Sequence, residues 1–370
     1  MMGEQAKIEQ VDKNFMIDNE TQKNLIWIDP IKSSVVSVYG LNWFTEDKRY
    51  HRLPKESDDV VKNLEGSVDV LAANTSGGII SFYTNSKILK IKVKLSYMFH
   101  MGHMAYTGQA GFDLYRGKNF KDLKFYRASN FDFSKNEYEY TFYDSNEKQN
   151  ESLHLFNFPL YASVENVLIG IEEDANIKPE LKLFPNQGKI VFYGTSITQG
   201  GCASRPGMSY TNIISRHLGY ECLNYGFSGN GKGHPEIAEI IASIHQVKAY
   251  VINYEANVNF EDLKRTLPGF IDRIRKRYID VPIILVSKIQ FYTEIHSKTE
   301  EKAEKMIREF QKSFVKSRMK EDKNIFYLDG KLLLGDNADE KTVDGVHPTD
   351  YGFASIAKEI EKQLKKCLKK

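Results

Sequence analysis

The spacing of apolar residues changes once along this chain, across residues 175–189, and that change calls for two kinds of architecture in series. Before it the pattern runs in twos. In "LKIKVKLSYM", Leu89, Ile91, Val93, Leu95 and Tyr97 alternate with Lys90, Lys92, Lys94 and Ser96. Strict alternation predicts a half-buried strand, here with lysines turned to water, a pattern that also deters edge-to-edge pairing. "LHLFNF" (153–158) and "VLIGI" (167–171) read as further strands, separated by turn signals such as "TSGG", "YRGKNF" and "SNEKQN". No amphipathic helix of three turns appears before about residue 205. Many short strands without helices predict a β-sandwich, jelly-roll-like.

The segment "ANIKPELKLFPNQGK" carries two prolines and a glycine, and beyond it apolar runs alternate with helical patterns. "KIVFYG", "CLNYGF", "AYVINY", "PIILVSK" and "IFYLDG" predict strands. Between them lie helical patterns at 209–219, 234–245, 260–279 and 293–320, the last with Ala303, Ile307, Phe310 and Phe314 on one face. Ile356, Ile360, Leu364 and Leu368 form the stripe of a final helix. Alternating strands and helices predict an α/β class domain: a three-layer α/β/α stack with a parallel sheet. The expected division is 1–180 for the sandwich and 186–370 for the α/β part. In such sheets ligands bind beyond the carboxyl ends of the strands.

Composition excludes several partner classes. The 51 basic and 49 acidic side chains leave a formal charge of +2, which provides no global field for nucleic acid or an anionic membrane. The basic ending "KKCLKK" reads as the solvated end of an amphipathic helix. No apolar stretch approaches the roughly 20 residues of a membrane span. Three scattered cysteines, Cys202, Cys222 and Cys367, suit neither a disulfide framework nor a zinc site. "MMGEQAKIEQVDKNF" is charged where a signal peptide needs an apolar core, so a cytoplasmic location is expected.

Chemistry concentrates at predicted strand ends. "GKIVFYGTSITQGG" opens a buried strand onto Thr195 and Ser196 among glycines, which fits either a plain strand-to-helix turn or a nucleophile. A serine nucleophile needs a base, a group to orient the base, and donors for the oxyanion. "TVDGVHPTDYGF" holds Asp344 and His347 three residues apart, a spacing that lets one turn aim the imidazole while the carboxylate holds its other nitrogen. Pro348 restricts the histidine backbone. "NYGFSGNGKG" could point amides at an anion, with Gly229 the donor, though it also fits a phosphate loop or a plain turn. In "VINYEANVNF", Asn257 could offer a side-chain amide, with Asn259 or a neighbour capping the next helix.

Taken together, these elements resemble those of the SGNH/GDSL hydrolases. The resemblance assigns the nucleophile to Ser196 in "GTSITQG", and oxyanion donors to the Ser196 amide, to Gly229 in "FSGNG" and to Asn257 in "EAN". It assigns Asp344 and His347 to the terminal D-x-x-H. The third element is commonly Gly-x-Asn-Asp, whereas this chain has Glu255, Ala256, Asn257 and Val258, which leaves Glu255 without a role. Gly111, Phe112, Asp113, Leu114 and Tyr115 look like the G-x-D-L-Y segment of a β-domain preceding some SGNH esterases, and "YHRLP" (50–54) fits the same type. The resemblance implies hydrolysis of carboxylic esters without metal or organic cofactor. It points to short acyl groups, acetyl first, on a carbohydrate or small alcohol. A carbohydrate-binding protein with a retired hydrolase site and an acyltransferase are the competing expectations.

His100 and His103 in "FHMGHM" have no carboxylate or cysteine nearby in sequence, which argues against a metal site. Their loop is expected either to lie on the sandwich surface or to reach the active site. Cys202 reads as a small packing residue, and Trp43 as the aromatic to watch for sugar stacking.

Overall fold

The computed structural model describes residues 24–369; the first 23 residues of the expected sandwich domain, with the charged N-terminal stretch, lie outside the described residues. Two antiparallel sheets face each other in the first half. One runs β1 (Leu25–Ile28), β9 (Ala162–Glu172), β4 (Ile88–Met98), β7 (Glu137–Asp144). The other runs β10 (Ile177–Pro179), β3 (Ile79–Thr84), β8 (Ser152–Asn157), β5 (Asp113–Gly117), β6 (Lys124–Ala128), with β2 (Ser37–Tyr39) also paired to β3. Ile91, Val93, Phe112, Leu114, Phe142, Phe156 and Ile169 fill the core between them.

The lysine alternation holds only in part. Lys92 and Lys94 face water, but Lys90 is 3% exposed and pairs with Glu139 at 3.2 Å. A register shift in the β4–β7 pairing at Leu89/Lys90 accompanies this inward turn. β4 lies between β9 and β7, so its lysines do not guard an edge.

The second half is a five-stranded parallel sheet in the order β12 (Glu221–Gly226), β11 (Lys189–Gly194), β13 (Val247–Asn253), β14 (Ile283–Val286), β15 (Ile325–Leu328). Alternate residues of β11 enter opposite cores: Val191 and Tyr193 on one face, Ile190 and Phe192 on the other. Helices cover both faces, as the three-layer expectation requires. The chain order reverses at β11, between β12 and β13, which is the switch point where such sheets open a crevice. Ser196 follows β11 directly.

The pattern at 293–320 resolves into two helices. Tyr292–His296 ends before Ser297, whose hydroxyl accepts from the Glu300 amide and starts Lys298–Arg318. The most buried residues of that helix are Glu304, Arg308, Gln311 and Val315. Ile307, Phe310 and Phe314 pack beside them, only partly buried. The inward face is polar because Glu255, Lys288 and Glu294 oppose it: Arg308 forks onto Glu294 at 2.7 Å, and Lys288 pairs with Glu304.

The two halves are not packed separately. Leu53, Val61, Val68, Leu71 and Ala72 belong to the core on one face of the parallel sheet, each of the larger ones contributing roughly 1.5–3 kcal/mol by burial. Trp43 joins that seam, partly buried with its ring 6.2 Å from Tyr225, rather than standing free for a sugar. Among the described residues no helix is long and apolar enough to cross a membrane.

Candidate active site

Ser196 opens a one-turn helix, Ser196–Gln199, directly beyond β11. Thr195 caps the helix through its hydroxyl, and Gly200 closes it at φ 109°. The first amides of a helix have no partner within it, which leaves the Ser196 N–H unused by the turn it opens. The Tyr161 hydroxyl donates to the Ser196 carbonyl at 3.3 Å.

The D-x-x-H segment is a closed turn. Thr342 and Pro348 form an antiparallel bridge, and the Val343 amide donates to the His347 carbonyl at 2.8 Å. Inside the turn, Asp344 Oδ1 accepts from the His347 and Val346 amides at 2.7 and 3.0 Å. Gly345 sits at φ 81°, where a Cβ would lie 2.7 Å from the Tyr292 ring, so only glycine completes this turn.

The turn delivers His347 to Ser196. His347 Nδ1 lies 2.8 Å from Asp344 Oδ2, and Nε2 lies 2.9 Å from Ser196 Oγ. A carboxylate only accepts, so Nδ1 carries the hydrogen and Nε2 presents its lone pair to the hydroxyl. Partial burial pushes the Asp344 carboxyl up, but hydrogen bonds from the His347 amide and ring and from the Val346 amide outweigh it. The carboxyl is held below its ordinary value. Ser196 is 9% exposed.

The loop after β12 returns to the same strand end. The Phe227 amide donates to the Gly194 carbonyl at 2.9 Å, and the Ser228 amide to Gln199 Oε1 at 3.0 Å. Gly229 follows at φ 68°, with nothing within 4 Å of where a Cβ would stand. Asn257 reaches this loop too, its Nδ2 donating to the Phe227 carbonyl at 3.2 Å. Asn259 caps the helix Phe260–Arg277, so Asn257 is free of capping. The structure thus gathers Ser196, Asp344 and His347 into one hydrogen-bonded series, with the Gly229 loop and Asn257 alongside.

Three supporting residues escaped the sequence reading. Gln199 is fully buried; its Nε2 donates to Asn74 Oδ1 and the Leu160 carbonyl, both at 3.1 Å, while Oε1 holds Ser228. Its signal was a long amide set in a run of small residues. Arg52 of "YHRLP" is 1% exposed and donates to the carbonyls of Asn224, Gly226 and Leu71, with Phe227 against its guanidinium at 4.8 Å. Arg205 donates to Asp113 Oδ2 at 2.8 Å and to the Tyr115 hydroxyl at 2.7 Å. The G-x-D-L-Y segment therefore clasps the loop that follows Ser196. A groove of about 720 Å³ lined by Tyr115, Phe125, Arg205 and Arg216 lies beside this clasp and includes none of Ser196, Asp344 and His347.

Glu255 acquires a role. Its Oε2 accepts from the Lys288 amide at 2.8 Å and from Gln311, tying the turn Glu255–Asn257 to the end of β14 and to Lys298–Arg318. Burial first, and Glu304 nearby, push its carboxyl up to about 7, against the lowering effect of those two hydrogen bonds and of Lys288.

The histidine loop divides. His100 packs edge-on against Phe133, whereas His103 reaches the site, its Nε2 3.9 Å from Asp344 Oδ2 and its ring 5.8 Å from that of His347. Cys202 is buried in the apolar cluster beneath. Burial, then Asp344, push its thiol up to about 12, which makes it a poor nucleophile.

Residues 187–365 match the GDSL-like lipase/acylhydrolase family, and residues 25–177 match the N-terminus of SGNH-hydrolase-type esterases known as GxDLY. No curated protein matches the chain. Among solved structures, a Bacteroides ovatus protein assigned as a GDSL-like lipase is 29% identical, with 94% of this chain and 98% of that one covered and a TM-score of 0.83. A salicylyl-acyltransferase from a tetracycline biosynthetic pathway is 18% identical over 92% and 97%, TM-score 0.75. A family-two carbohydrate esterase from Clostridium thermocellum, in complex with cellohexaose, is 13% identical over 80% and 93%, TM-score 0.57. With both halves matched in order, this chain belongs to the GDSL-like (SGNH) acylhydrolases whose parallel sheet is preceded by a GxDLY sandwich.

Proposed function

We propose that this chain is a serine-dependent carboxylic ester hydrolase that removes a short acyl group, acetyl first, from a carbohydrate or small alcohol. One observation carries the reading: the unbroken series Ser196 Oγ, His347 Nε2 and Nδ1, Asp344 Oδ2 at 2.9 and 2.8 Å. Ser196 Oγ attacks the ester carbonyl while its proton passes to His347 Nε2. The Ser196 and Gly229 amides and the Asn257 side chain receive the oxyanion. Collapse breaks the ester C–O bond, and His347 returns its proton to the leaving alcohol. Water then attacks the acyl-serine with the same base, freeing the acid and restoring Ser196. Asp344 stays ionised and supports the imidazolium.

The carbohydrate part of the reading draws on the resemblance and on the family-two carbohydrate esterase. An acyltransferase would use the same residues with an alcohol in place of water. The side chains of His347 and Asp344 are 23% and 34% exposed, so water reaches the base, which favours hydrolysis. The test is release of p-nitrophenol from acetyl, butyryl and octanoyl esters by the wild type and Ser196→Ala. The acetyl ester should turn over fastest, and the variant should lose at least ~10³-fold. Equal inertness of two folded proteins would sink the reading.

A further inference from the structure

His103, Cys202 and His347 each bring one ligand atom to a common point, all within 4.8 Å of one another, and among the described residues they are the one group of this kind. In sequence nothing linked them. His103 comes from the sandwich, Cys202 from the loop after the nucleophile helix, and His347 from the terminal turn. The structure assigns to these three a binding site for a thiophilic divalent cation, zinc being the test case, that closes the active site reversibly. This goes beyond the ester-hydrolase reading. The inhibitory consequence rests on His347 acting as the base; the metal site does not.

The donor set is that of zinc: two imidazoles and a thiolate, with water at the fourth position. Donors around one such ion stand roughly 3.5 Å apart, so the present spacing needs only a modest closing of side chains. His103 is the side chain with room to turn, being 43% exposed. Its backbone is already fixed. Buried Gln109 accepts from the Met101 amide at 2.9 Å and donates to the Met101 and Met104 carbonyls at 2.9 and 2.6 Å, clamping both sides of His103. The Thr107 hydroxyl bonds the Ser204 carbonyl and ties this loop to the segment carrying Cys202.

Charge and hydrogen bonding favour the same site. Asp344 holds His347 Nδ1, which leaves Nε2 as the ligand atom and reproduces the carboxylate–histidine–metal arrangement. The Asp344 oxygen 3.9 Å from His103 adds negative charge beside the ion. Cys202 loses its proton to solvent on coordination, as metal-bound thiols do. The bound ion would occupy the Nε2 lone pair that otherwise takes the Ser196 proton, so hydrolysis stops until the metal leaves.

The experiment uses the full chain freed of metal, with His103→Ala and Cys202→Ser beside the wild type. Cobalt(II) serves as the spectroscopic probe and zinc as the calorimetric and kinetic one. The wild type should bind one cobalt with a thiolate-to-metal charge-transfer band, and Cys202→Ser should lose that band. Each variant should weaken zinc binding and zinc inhibition by at least about tenfold, the loss seen even for groups beyond the ligands themselves. Their zinc-free rates on p-nitrophenyl acetate should stay within about threefold of the wild type, since neither side chain belongs to the proposed triad. Cobalt bound without the band, or zinc affinity unchanged in both variants, overturns the proposal. A chain inert on every ester would still report the metal in the cobalt spectrum, and an active esterase without the band would sink the metal site alone.

Discussion

Asp113 and Arg205 form an ion pair at 2.8 Å across the seam between the sandwich and the nucleophile loop, with the Asp113 side chain wholly buried. The carboxylate also accepts from Asn157 Nδ2 at 2.7 Å and the Gly207 amide at 2.8 Å. Asp113→Ala takes the carboxylate from Arg205, which keeps only the Tyr115 hydroxyl and Met208 Sδ, and leaves that amide without its acceptor. The expected loss is roughly 3–5 kcal/mol in denaturant unfolding, as for other broken buried pairs. Asp113→Asn keeps the shape and should lose less. An Asp113→Ala protein as stable as the wild type would refute this account of the clasp.

Arg52 presents a buried cation to backbone carbonyls and one aromatic face. Burial pulls its guanidinium down to about 9, yet the Asn224 and Gly226 carbonyls and the Phe227 ring hold it. Arg52→Met fills the space but strips those carbonyls of a donor, at roughly 1–3 kcal/mol for the group left unpaired. Because the loop bearing Gly229 follows directly, kcat should fall with little change in KM. Lost stability with unchanged kcat would make Arg52 structural only.

The two proposed oxyanion donors differ in kind, so their variants should separate. Asn257→Ala removes a side-chain donor and should lower kcat by ~10²–10³-fold. Gly229→Ala keeps its amide and meets no neighbour, but φ 68° costs an L-residue roughly 1–2 kcal/mol. It should reduce stability more than turnover. A reversed order in kcat would exchange the importance of the two donors.

Glu255 makes stability depend on pH in an unusual direction. Its carboxyl titrates near 7 in the folded protein against an ordinary value of 4.5. The native state therefore binds more protons than the unfolded chain across that window, and stability from this group falls as pH rises through it. Glu255→Gln should flatten the fall in thermal unfolding between about pH 4.5 and 7. A variant with the same slope as the wild type would place the proton elsewhere.

Much of the architecture was legible because apolar spacing reports burial directly. The strands around Val191, Leu223 and Val251 alternate between two cores, and their order along the sequence is enough to put Ser196 at a crevice. The misreadings share one cause: polar side chains whose partners are distant in sequence. Lys90 turns inward to Glu139 and Arg308 to Glu294, pairings no local pattern encodes. Asp344 and His347 were readable because their partnership spans one turn. Gln199 was not, since its meaning lies in Asn74, Leu160 and Ser228 at once. His103 and Cys202 were individually visible, but their meeting depends on how the sandwich docks.

That docking has an implication for recombination among relatives. Ser76 donates to the Gln199 carbonyl at 2.6 Å, and Asn74 and Leu160 anchor its side chain, so the nucleophile turn stands on a footing supplied by the other half. Leu53, Val61 and Leu71 meanwhile complete the neighbouring helical layer. The two halves are thus one packed unit. A chimera built by splicing a foreign sandwich at residue 180 would import a new foundation for catalysis, and its turnover should track how well those few contacts are reproduced.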